Sequence, residues 1–70
     1  MNHKSKLQKL EDIKIFRNIE FLHHKANIMM KLNSCTNDFD FRKLSTNLQS
    51  CKNAQRLFNE KIDRKISNLL

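Results

Sequence analysis

Glycine and proline are both absent from the 70 residues. Glycine supplies left-handed turn geometry and close backbone approach, and proline stops helices and punctuates loops. Without either, the chain has few means of building tight strand hairpins or phosphate-cradling loops, which excludes P-loop and dinucleotide-binding folds. Tryptophan and tyrosine are missing too, leaving five Phe as the only aromatics, so the polar-handled aromatics favoured at many interfaces are not available. No apolar run approaches the roughly 18 residues needed to span a bilayer. The start, Met1-Asn2-His3-Lys4-Ser5-Lys6, is basic but leads into no uninterrupted apolar segment, so a secretory signal is not expected. Two cysteines, Cys35 and Cys51, do not make a disulfide framework, and a cytoplasmic setting with reduced thiols is the expectation.

What is present is a helix-forming chain of one domain at most. Hydrophobic residues make up 39%, too many for a disordered polar tail. A core this thin usually needs a staple, a metal or a second chain to be stable. The net charge is +7, from fourteen Lys+Arg against seven Asp+Glu, and such an excess invites a nucleic-acid reading. The basic residues are nevertheless spread evenly, seven in residues 1–33 and seven in 34–70. No block of like charge marks a binding arm. Richness in Lys, Asn, Ile and Phe also suits an AT-rich coding sequence. A solvated basic surface is expected, with no specific nucleic-acid partner.

Apolar periodicity is interrupted once, at Asn33-Ser34-Cys35-Thr36-Asn37. The pattern predicts an all-α, two-helix antiparallel hairpin as a single unit over residues 1–70, with helices at about 6–32 and 38–68 and a turn at 33–37. At roughly 100° per residue, Ile15, Ile19, Leu22, Ala26 and Met29 form a stripe with coiled-coil spacing. Phe16 and Met30 widen it. Leu7, Leu10, Phe21, Ile28 and Leu32 form a second stripe about 90–100° away. Asn37 or Asp38 is the expected N-cap of the second helix, with Asp38 and Asp40 at the positive end of its dipole. The apolar set of that helix, Phe41, Leu44, Leu48, Cys51, Phe58, Ile62, Ile66 and Leu69, falls in one stripe, with Phe39 and Leu57 off it.

One neighbour cannot cover both stripes of the first helix. The second helix is expected to take the Ile15–Met29 seam, by its matching 4-3 spacing. That leaves Leu7, Leu10, Phe21, Ile28 and Leu32 as the candidate partner-binding residues, for a helical protein partner or a second copy in a homodimer. The hairpin is thus expected to be completed by a partner or by self-association. Met29 and Met30 are expected to fill the hairpin's open end.

Catalytic chemistry is not expected. Glu11, Asp12, Glu20, Glu60 and Asp63 are scattered on helix surfaces beside basic neighbours, and a two-helix hairpin offers no cleft. His23 and His24 point about 100° apart on a helix, and Cys35 and Cys51 lack ligand spacing, so neither metal nor any other cofactor is expected. The histidines read as surface residues and Cys51 as a small core residue.

The layout of a long first helix, a short polar turn, Asp38-Phe39-Asp40-Phe41 entering a second helix, and Leu44, Leu48, Ala54, Phe58 and Ile62 on its inner face resembles the small co-chaperones of type III secretion needle subunits. The likeness covers most of the chain as a layout and rests on no invariant motif. It implies a non-catalytic hairpin that pairs with a larger helical-repeat chaperone in the bacterial cytoplasm and keeps the needle subunit unpolymerised. The strong basic charge departs from that pattern. The segment CKNAQRLFNEKIDRKISNLL (51–70) is similar to needle or inner-rod subunits themselves, although the Pro-containing turn of those subunits is missing here. A structural subunit of that type, or a small basic nucleic-acid-associated regulator, is the alternative.

Overall fold

The computed structural model describes residues 5–70. The basic start at Met1–Lys4 lies outside the described residues. The described residues form two helices, α1 (Lys6–Asn33) and α2 (Asp38–Leu69), and they pack antiparallel. The expected two-helix hairpin is what forms, with each helix one residue longer at its C-terminus and the connection one residue shorter.

Local chemistry sets the boundaries. The Ser5 hydroxyl caps α1 by accepting from the Gln8 backbone N–H at 3.1 Å, satisfying one of the first-turn donors that have no partner within the helix. At the far end, the Ser34 hydroxyl donates toward the carbonyls of Met30 and Lys31 at 3.2 and 3.3 Å. Ser34 N–H reaches Met30 O and Cys35 N–H reaches Leu32 O. No described residue has positive φ, so the helix stops without the left-handed residue that glycine usually provides. Asn37 then opens α2. Its side-chain oxygen accepts from the Asp40 N–H at 2.8 Å, and its amide nitrogen donates to Asp40 Oδ2 at 2.8 Å. The reciprocal pair ties the cap to the third residue of the helix, with the Asn37 side-chain amide in the place of the backbone N–H that donates in a capping box. Asn37→Ala is therefore expected to cost about 1 kcal/mol, seen as a melting temperature lower by roughly 4–8 °C. Asn37→Ser, whose hydroxyl can both accept from the Asp40 N–H and donate, should keep most of that stability; a melt of Asn37→Ala that matches the parent would contradict this account of the turn.

The hairpin is a thin plate, 55 × 23 × 9 Å. Its radius of gyration is 16.4 Å, against about 11 Å for a compact chain of this length. Only Ile28, Cys51 and Ile62 are buried among the described residues. With one layer of two helices, both sides of the seam stay open to solvent.

Candidate partner-binding surface

The structure reverses the expected use of the two stripes on α1. Leu7, Leu10, Phe21, Ile28 and Leu32, expected to face a partner, are all buried or half-buried. Ile28 retains 6% of its surface, and the Phe21 ring lies 6.1 Å from that of Phe58, tilted by 50°. These residues are the intramolecular seam. In the hairpin they face α2, and the surface that Leu10, Phe21 and Ile28 keep open lies along one edge of the seam.

The reason lies in the polar residues between them. Lys14, Asn18 and Lys25 complete the seam at steps of three and four residues, so that it runs the whole length of α1. Each has a partner on α2. Lys14 Nζ donates to Asp63 Oδ1 at 2.6 Å. Asn18 Nδ2 donates to Asn59 Oδ1 at 2.8 Å, and Asn18 Oδ1 accepts from Gln55 Nε2 at 2.8 Å and from Asn59 Nδ2 at 3.1 Å. Lys25 Nζ donates to Gln55 Oε1 at 2.7 Å. A search for apolar residues alone reads these positions as gaps. Paired across the seam, they are rungs of it, and with the apolar residues between them they cover α2 from about Leu44 to Ile66. The shorter Ile15–Met29 stripe would have left both ends of α2 unpacked.

What remains uncovered is therefore the stripe once expected to be internal. Ile15, Phe16, Ile19, Leu22, Met29 and Met30 keep between 46% and 69% of their surface, and Ala26 is exposed among them. Met29 and Met30 do not fill the open end of the hairpin, because both point away from the seam. The spacing 15, 19, 22, 26, 29 places these side chains on one face over four turns, with no charged residue between them. A contiguous exposed apolar face of this kind marks an interface in small proteins. On α2, Phe41 is half exposed at the edge of the seam, and Phe39 and Leu57 lie away from it, as their spacing predicts.

The remaining polar groups are solvated. His23 and His24 are exposed, and Cys51 is a buried seam residue while Cys35 sits in the turn. Ion pairs within the helices join Arg17 to Glu20 at 3.6 Å and Arg56 to Glu60 at 3.0 Å; such exposed pairs contribute at most a few tenths of a kcal/mol. Among the described residues no three His, Cys, Asp or Glu side chains gather as a metal site, and no helix is long and apolar enough to cross a membrane. No family model matches the chain, and neither a curated protein nor a solved structure shows significant similarity to it.

Proposed function

We propose that the chain is a non-catalytic protein-binding module that docks a helical partner on the Ile15–Ile19–Leu22–Ala26–Met29 face of α1. The observation that carries this reading is the coiled-coil-spaced apolar face left uncovered after the hairpin has formed. A helix with seams on two sides belongs in a bundle of more than two helices. The more specific proposal is a co-chaperone of a type III secretion needle subunit in the bacterial cytoplasm, acting with a larger helical-repeat chaperone. Its support is the resemblance in layout, together with a hairpin too thin to enclose a substrate.

The test is purification of the tagged chain from its native host. A stoichiometric complex containing a helical-repeat protein and a small filament-forming subunit is the expected result, and Ile19→Glu should release both. Recovery of the chain without either protein would defeat the co-chaperone proposal. Retention of a bound partner by Ile19→Glu would defeat the assignment of the face.

A further inference from the structure

On the other edge of the seam, away from the Ile15–Met29 face, the surface between the helices is depressed in two separate stretches. One stretch is lined by Phe21, His24, Ile28 and Lys31 from α1, and by Leu44, Asn47, Ser50, Cys51 and Ala54 from α2. It continues toward the turn past Lys31, Leu44 and Asn47 to Lys43. A second stretch, near the chain ends, is lined by Lys6, Lys9, Leu10, Lys65, Asn68 and Leu69. Both stretches face the same way. Leu10 and Ile28 are eighteen residues apart, as are Asn47 and Lys65, and Cys51 and Leu69. Eighteen residues make five full turns of an α-helix, which returns a side chain to the same direction.

The floor and the rim have different chemistry. The floor is mainly apolar, and three of the α2 side chains lining it, Ser50, Cys51 and Ala54, are small, which leaves room for a third backbone to approach. Lysines stand at both ends: Lys6, Lys9 and Lys65 at one, Lys31 and Lys43 at the other. Asp40 is the single carboxylate lining these stretches, and one of its oxygens already accepts from Asn37. We propose that this surface binds an acidic amphipathic helix of another protein. Lys9 and Lys31 lie about 33 Å apart along α1 at 1.5 Å per residue. The fitting helix is therefore about six turns long, with an apolar face in its middle and carboxylates in its first and last turns. A second copy of this chain is the wrong occupant. It carries +7, so two lysine-rimmed surfaces would repel one another on approach. This surface is separate from the Ile15–Met29 face, and the proposal stands or falls independently of the function proposed above.

The test uses the whole chain and a fluorescein-labelled 22-residue peptide with leucines on one helical face and glutamates in its first and last turns. Anisotropy should show saturable binding that weakens several-fold between 50 and 300 mM salt, as screening of unlike charges requires. Lys31→Glu combined with Lys43→Glu should weaken binding at least tenfold. Ala54→Arg, which puts bulk on the floor, should weaken it similarly. Ile19→Glu, on the other face, should leave it unchanged. Equal affinity for a peptide with Gln in place of Glu would overturn the proposal, as would equal affinity for a single-stranded 20-nucleotide DNA. So would loss of binding in Ile19→Glu, a dimer of the free chain that Ala54→Arg dissociates, or a free chain without hairpin helicity.

Discussion

Phe21→Glu should unfold the hairpin, whereas Leu22→Glu, one residue later, should leave its helicity within a few per cent of the parent. The two positions are neighbours in sequence but point about 100° apart. Phe21 lies in the seam against Phe58. Truncating a fully buried phenyl ring costs about 3–5 kcal/mol; Phe21 is half-buried, so its loss costs about half of that, and a carboxylate facing the Phe58 ring adds a desolvation penalty. A hairpin with three buried residues has little to set against that, since cores of this size supply at most about 3–5 kcal/mol. Leu22 retains 59% of its surface, and Glu has nearly the same helix propensity as Leu. Its replacement should change stability by no more than about 0.5 kcal/mol. Circular dichroism at 222 nm on the free chain reads both outcomes. A folded Phe21→Glu would mean that α2 packs on the other stripe. An unfolded Leu22→Glu would mean that the hairpin exists only when the Ile15–Met29 face is covered.

The elements were legible in the sequence because their signals are local. A single polar break, an Asn-Asp opening and unbroken helix-forming chemistry on either side leave one arrangement for a chain without glycine or proline. The α2 face was legible for the same reason, since nearly all of its apolar residues share one direction. The choice of face on α1 was not. Both stripes have acceptable spacing, and the apolar residues of the wrong one are the more regular. What decides between them is pairing across the seam, of Lys14 with Asp63, Asn18 with Gln55 and Asn59, and Lys25 with Gln55. Those partners are 30 to 49 residues apart in sequence, and no single-helix periodicity contains them. In retrospect one signal was available. The Leu7–Leu32 seam carries apolar residues in both the first and the last turns of α1, whereas the Ile15–Met29 stripe continues toward the N-terminus only through the polar Asp12 and Gln8. The depressed surface beside the seam was illegible for a further reason: it is made by both helices together, so neither helix alone outlines it.

Asn18→Ala should destabilise the hairpin, yet replacing Asn18, Gln55 and Asn59 together by Leu should stabilise it while weakening its register. In the parent, the Asn18 side chain joins both helices through three hydrogen bonds, and its amide nitrogen also donates to Lys14 O at 2.7 Å. Truncating it strips Gln55 Nε2 of its acceptor and Asn59 of its reciprocal partner. Each half-buried amide left unsatisfied costs on the order of 1 kcal/mol, at the low end of the range because water can reach it. The sum is about 2 kcal/mol, or roughly 8–16 °C in melting temperature for a domain this small. The triple change leaves no amide in the layer to satisfy and adds apolar area worth about 25 cal/mol per Å² buried, so its melt should rise above that of the parent. Specificity should move the other way. Leucines at three adjacent positions accept one another in more than one alignment, whereas a polar layer inside an apolar seam is paired in one register only. Lys25 would also lose its acceptor on Gln55, which removes a second marker of alignment. The amide spectrum of the parent should show one set of resonances, and that of the triple variant several, or broadened ones along α2. A single sharp set in a more stable triple variant would show that Ile28, Cys51 and Ile62 fix the register without the polar layer.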